Sequence, residues 1–199
     1  MNVLIVSRTR MKNGVCCGGL NLQNGEFVRI HNDRGGNLSF DAPFQIGQVY
    51  DMVYQTAWNV RPYPHIEDKQ VLSYRFQKQL STSEIIRNID SVVRVQRGGL
   101  EAIFNGKLKH SSYAAYISPD DIPNHSVTFW RPNIALNKIV FMGKVRYRFN
   151  NYNISFVGYQ EPLATIPPGT LLRMSLANWW SPDDITEKRC YLQLSGWYL

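Results

Sequence analysis

The sequence predicts a mainly β protein with one or two short helices, folded as two small barrels packed together. Three observations carry this. The chain has 199 residues, which suits one large domain or two small ones. Aromatic residues make up 13% of it, with 11 Tyr, 9 Phe and 5 Trp, types that fit the pleated, half-buried surface of a sheet. Short apolar or alternating runs follow one another with turn signals between them, the pattern of small barrels or a sandwich. At 44% hydrophobic and 19% charged, the chain can bury a core and is not intrinsically disordered.

Val3 to Val6 form a continuous apolar run, after which Arg8, Arg10 and Lys12 alternate with Thr9 and Met11. This reads as a strand leaving the core with one basic face turned to solvent. Asn13-Gly14 and Asn24-Gly25 are turn signals, so Val15 to Leu20 and Phe27 to Ile30 continue a tight meander. Asp33 to Asn37 is an exposed loop. Ile46 to Tyr54 is a further strand with a bend at Gly47, Pro62 and Pro64 interrupt regular structure, and Val71 to Phe76 is a short strand. Residues 1–80 are thus expected to form the first barrel.

Residues 81–99 are expected to form a bracing helix. Ser81-Thr82-Ser83-Glu84 matches a capping box, Ile85, Ile86, Ile89, Val92 and Val93 follow at helical spacing, and Gly98-Gly99 is the expected stop. Residues 100–199 are read as a connecting segment followed by the second barrel. Val127 to Trp130 is apolar and aromatic. Asn137 to Phe149 reads as one long strand, with Lys144, Arg146 and Arg148 on one face and Val145, Tyr147 and Phe149 on the other. Asn150-Asn151 turns the chain back into Tyr152 to Tyr159. Leu171 to Leu176 and the closing Cys190 to Leu199 supply the last strands. Ser-Pro-Asp-Asp-Ile occurs at Ser118 to Ile122 and again at Ser181 to Ile185. Each copy is read as a short helical turn with Ser as N-cap and Pro at the first helical position.

Cys16, Cys17 and Cys190 lack metal or redox spacing and are read as buried thiols in a reducing compartment. The four apolar residues near the start are too few for a signal peptide, and no run approaches a membrane span, so a cytoplasmic location without membrane contact is expected. No nucleophile-elbow, P-loop, dinucleotide or zinc-helix motif is present, so no catalytic residue, metal or cofactor is assigned. The pairs Asp120-Asp121 and Asp183-Asp184 could bind a divalent metal only if the fold joined them, and helix capping already accounts for them.

Lys and Arg number 22 against 15 Asp and Glu, a formal charge of +7, which makes nucleic acid the first partner to consider. The candidate interface pairs Arg8, Arg10 and Lys12 with Lys144, Arg146 and Arg148. Trp58 and Trp179 head the candidate stacking platforms, with Tyr152, Trp130 and Trp180 behind them and Tyr147 expected in the core.

Two stretches resemble a known family. Ser7-Arg8-Thr9-Arg10-Met11 with Gly14-Val15-Cys16-Cys17-Gly18-Gly19-Leu20 looks like the start of the prokaryotic dual OB-containing domains, and Arg189-Cys190-Tyr191-Leu192-Gln193-Leu194-Ser195-Gly196-Trp197-Tyr198 looks like their close. The resemblance implies two OB-like barrels, a nucleic-acid or nucleotide ligand, and links to bacterial defence or mobile elements. The expected function is a non-catalytic module for single-stranded nucleic acid. The alternatives are an adaptor docking onto a larger partner protein and, more distantly, a metal-dependent phosphodiester enzyme built from the acidic pairs.

Overall fold

In the computed structural model, which describes residues 1–58 and 61–199, the opening apolar run is buried on both faces. β1 (Asn2–Met11) sends Val3 and Ile5 into one core, and Leu4 and Val6 into another. β2 (Gly14–Asn21) and β3 (Phe27–His31) follow from the two Asn-Gly turns. β4 (Gln48–Thr56) and β5 (Asp68–Gln79) complete a closed barrel in the order β1-β2-β3-β5-β4. In it β3 runs parallel to β5, and β4 runs antiparallel to β5 and β1. β5 is far longer than the Val71 to Phe76 run, because its second half pairs with β4 while its side chains face solvent, and so leaves no apolar signature.

Gly14 opens β2 at φ +135, and a Cβ there would collide with the Leu38 carbonyl, which accepts the Val15 N–H at 3.0 Å. Gly14→Ala is therefore expected to cost about 2 kcal/mol of stability through backbone strain, read from a shift in the urea unfolding midpoint.

α1 (Thr82–Val92) has both arms of the expected capping box, between Ser81 and Glu84. Its buried Ile85 and Ile89 meet Leu4, Val6 and Leu20 of the barrel and Phe129, Leu171 and Tyr198 of the second half in one core, so the helix braces the two halves. It ends before Gly98-Gly99. Val93 is already extended at φ −128 and ψ 137, since consecutive β-branched residues favour strand backbone.

The next residues plug the second half. β6 (Gln96–Gly98) leads into two 3-10 turns, Leu100–Ala102 and Phe104–Gly106, then β7 (Lys109–Ser111) and β8 (Ala114–Ile117). From these, Leu100, Ile103, Phe104, Leu108, Ala115 and Ile117 enter the second core. β9 (Val127–Pro132), β10 (Leu136–Phe141), β11 (Lys144–Phe149), β12 (Tyr152–Phe156), β13 (Thr165–Ile166), β14 (Leu171–Leu176) and β15 (Cys190–Tyr198) form the sheet around that core. Its pairing repeats the first half: β10-β11-β12 is a meander, β12 is parallel to β15, and β14 is antiparallel to β15 and β9. β9 and β10, three residues apart, take the place of one bent first strand, so each half has the OB-like order.

Two sequence expectations change here. Asn137 to Phe149 is a hairpin and not one strand, because Met142 and Gly143 adopt φ +50 and φ +69. That is two-residue hairpin geometry with a residue, Met, that gives no turn signal. Neither Ser-Pro-Asp-Asp-Ile copy forms a helix. In the second, Asp183 rather than Ser181 accepts the following backbone donors, Ile185 N–H at 3.0 Å and Thr186 N–H at 2.5 Å. No described helix is long and apolar enough to cross a membrane.

Candidate nucleic-acid interface

A cleft of about 250 Å³ lies between the two halves, lined by β1, β2 and β3 on one side and by β14 and β15 on the other. Two β-bulges shape it. In β1 the register with β2 slips between Ile5 and Ser7, and in β15 it slips opposite Arg173 and Met174, leaving Val6 and Ser195 as the extra residues. A bulge reverses which side chains face which way. After Val6 it is Ser7, next on the chain, that faces the cleft, while Arg8 turns to the barrel end. The Tyr198 hydroxyl donates to the Val6 carbonyl, so the closing strand pins the bulge of the opening one.

This corrects the reading of Arg8. Its guanidinium is buried and donates to the carbonyls of Ala42 at 2.8 Å, Phe44 at 2.9 Å and Phe40 at 2.6 Å. It closes the barrel end and offers no donor face to solvent. Arg10 and Lys12 run past the barrel rim, remain exposed and line the cleft mouth. Arg10 also stacks over Tyr159, 5.3 Å from the ring centroid.

Deeper in, sequence reasoning missed three arginines. Arg29 donates to Asp68 at 3.1 Å and to the Ser126 hydroxyl at 3.1 Å, and Arg61 contacts the other Asp68 oxygen at 3.2 Å and Asn178 at 2.7 Å. His31 Nε2 stands 3.2 Å from Asp68 as well. Burial works to raise the Asp68 carboxyl, but His31, Arg29 and Arg61 outweigh it and hold it below the usual carboxylate range. Glu67 accepts from the Ser126 N–H at 2.5 Å and its hydroxyl at 2.7 Å. Burial, then Arg29 and Arg61, push His65 down to about 4. The neutral ring donates from Nε2 to the Ala177 carbonyl at 3.1 Å and presents Nδ1 to Arg29 at 3.4 Å. These contacts run from the first half to the second and lock the cleft walls together.

Arg173 is the third. It lines the cleft at 6% exposure, its Nε has no hydrogen-bond partner, and no carboxylate of the described residues lies within 4.0 Å of it. A sequence signal existed: a single Arg inside the apolar run Leu171-Leu172-Arg173-Met174, as Arg29 is inside Phe27-Val28-Arg29-Ile30. A long cation in a buried strand needs a partner.

The second basic face joins the cleft through strand register. Arg146 pairs with Ser155, Ser155 with Gln193 and Gln193 with Ser175, and directly paired residues share a sheet face. Gln193 and Ser175 line the cleft, so Arg146 lies on the same face two strands away, about 10 Å. Lys144 and Arg148 are exposed on that face, Arg148 bonded to Asn153 at 3.2 Å, and Arg146 is half-buried with its guanidinium 5.1 Å from the Phe141 centroid. Tyr147 points into the second core as expected.

The remaining candidates are scattered. Trp58 is 77% exposed and Trp180 is exposed beside Tyr191, while Trp130 is buried. Trp179 donates its indole N–H to the Tyr63 carbonyl at 2.8 Å and packs against the second core, so it serves the junction of the halves. Asp120 and Asp121 pair with Lys109 at 2.6 Å and Lys107 at 2.8 Å. Among the described residues no group of three His, Cys, Asp or Glu is placed to hold a metal. Burial raises both the Cys17 and Cys190 thiols to about 12, so they stay protonated.

The fold and cleft define a class: a mainly β protein of two OB-like halves sharing a basic cleft. The chain belongs to the family of dual OB-containing domains, whose family model matches residues 1–197. A search of curated proteins finds no matching relative. Among solved structures the chain is similar to the HINa domain of Ifi202 in complex with 20-bp double-stranded DNA, at 11% identity and TM-score 0.35, covering 100% of this chain and 96% of that one. It is also similar to a murine DNA-binding protein bound to double-stranded DNA, at 12% identity and TM-score 0.29, covering 98% and 91%. The assignment to the family rests on the family model alone.

Proposed function

We propose that the protein is a non-catalytic nucleic-acid-binding module that holds the phosphates of a single strand along the cleft and the adjoining sheet face, in the bacterial defence or mobile-element setting that the family resemblance implies. The observation that carries this reading is that Arg10 and Lys12 stand at the mouth of a cleft lined deeper by Arg29, Arg61 and Arg173, on a sheet face that continues, in register, to Arg146. A cationic groove with exposed rings at its margin suits a strand whose phosphates are neutralised while its bases stack, each stack contributing about 1–3 kcal/mol. Tyr159, half-exposed under Arg10 at the cleft mouth, is the ring placed for this.

Fluorescence anisotropy with labelled single-stranded DNA and RNA, and a duplex for comparison, tests it across salt concentrations. Neutralising about five phosphates gives a slope of about −3.5 in log K against log salt. Replacing Lys144, Arg146 and Arg148 together by Ala should flatten that slope by about 2 while the protein stays folded. Salt-independent binding, or none at low salt, sinks the reading. The adaptor alternative loses the Trp179–Trp180 patch that would favour it, since Trp179 is engaged with Tyr63.

A further inference from the structure

Among the described residues, two guanidinium groups of the cleft have no counter-ion, and of these Arg10 is exposed at the mouth while Arg173 is buried. Asp68 is taken by Arg29 and Arg61, and both Glu67 oxygens are taken by Ser126. Arg173 makes no hydrogen bond through its side chain to any described residue, and its surroundings are built to keep it there. A Cβ at Gly18 would stand 2.5 Å from Arg173 Nη2 and 2.5 Å from Ser7 Oγ, so glycine at this position leaves both groups room where they stand. The two bulges set Ser7 and Ser195 on the same cleft, beside Ser175. The Ser175 and Ser195 hydroxyls lie 2.6 Å apart. One donates to the other, which leaves one hydroxyl proton for a further acceptor. The Ser7 hydroxyl makes no hydrogen bond to another described residue, so it also remains for the cleft.

We infer that this floor is a receptor for a phosphate monoester, with Arg173 as the cationic ligand and Ser7, Ser175 and Ser195 as hydroxyl donors. Guanidinium matches phosphate geometry with paired N–H donors. A diester in mid-strand carries a sugar on each side and stays at the rim, with Arg10 and Lys12. A monoester has one substituent and three peripheral oxygens, and can reach a group exposed as little as Arg173. The ligand is then a mononucleotide or the phosphorylated end of a strand; the strand-end version rests on the nucleic-acid reading above, and the receptor itself does not.

Two measurements test it. The first is thermal unfolding in inorganic phosphate against chloride at matched ionic strength. Phosphate should raise the wild-type midpoint, and Arg173→Met should abolish the response while leaving the midpoint in chloride unchanged or higher, because an unpaired buried charge is gone. No phosphate response in the wild type, or an equal response in Arg173→Met, overturns the receptor. The second compares 5′-phosphorylated, 3′-phosphorylated and unphosphorylated oligonucleotides and a mononucleotide. One terminal phosphate should tighten binding about tenfold, and the preference should vanish in Arg173→Met and in Ser195→Ala. Should Arg173→Met fail to fold, Ser7→Val and Ser195→Ala read the same preference. Oligonucleotides bound equally well with and without a terminal phosphate, and no phosphate response, would remove the receptor and leave the nucleic-acid reading standing. A response to phosphate and mononucleotide with no oligonucleotide binding would keep the receptor and remove that reading.

Discussion

Arg8→Ala is expected to destabilise the protein by about 3 kcal/mol, since it removes charge-assisted bonds and strands buried carbonyls. Its guanidinium is the donor for Phe40, Ala42 and Phe44 in the loop that closes the first barrel. Such a loss is a large part of the 5–15 kcal/mol typical of a folded domain. Arg8→Lys should restore little, because one ammonium on a flexible stem does not reproduce a planar fork aimed at three acceptors. Urea unfolding measures the stability, and anisotropy on the folded fraction measures binding. A variant with an unchanged midpoint and weakened nucleic-acid affinity would return Arg8 to the binding surface.

Acid should loosen the junction of the two halves. His65 is held at about 4 in the folded protein against 6.5 for an ordinary histidine. Between those values the unfolded chain binds a proton that the folded protein refuses, so stability rises with pH and falls as the solution is acidified. The full shift from 6.5 to about 4 corresponds to about 3 kcal/mol, present above pH 6.5 and lost by pH 4. His125, also lowered by burial, acts in the same direction, and Asp68 adds to it at lower pH. His65→Gln, which keeps a donor for the Ala177 carbonyl, should lose distinctly less stability than the wild type between pH 7 and pH 4.5 in urea titrations. Equal losses in the two proteins would show that His65 is not the group responsible.

The strand meander, the capping box of α1 and the fold class were legible because each rests on local chemistry. Asn-Gly turns demand positive φ, Ser81 and Glu84 satisfy helix donors within one turn, and Val3 to Val6 are apolar whatever lies around them. The Met142-Gly143 turn was not legible, since Met carries no turn signal and its φ is imposed by the paired strands. The length of β5 was hidden for a related reason: ladder hydrogen bonds come from the backbone and ask nothing of the outward side chains.

The interface divides the same way. Charge, aromatic content and the exposed basic residues Arg10, Lys12, Lys144 and Arg148 can be read from the chain, because local alternation and composition set them. The direction of Arg8 could not, because one inserted residue at Val6 reverses the alternation, and a bulge is defined only by the register with β2. Nor could the meeting of Ser7 with Arg173, or of Arg29 with Ser126, which are separated by more than a barrel in sequence and joined only when Leu4, Val6, Phe129, Leu171 and Tyr198 bury one another between the halves. Side-chain type and turn chemistry are local properties of the chain. Register, and the pairing of charges across a cleft, depend on contacts between distant residues, and those exist only once the two barrels have packed.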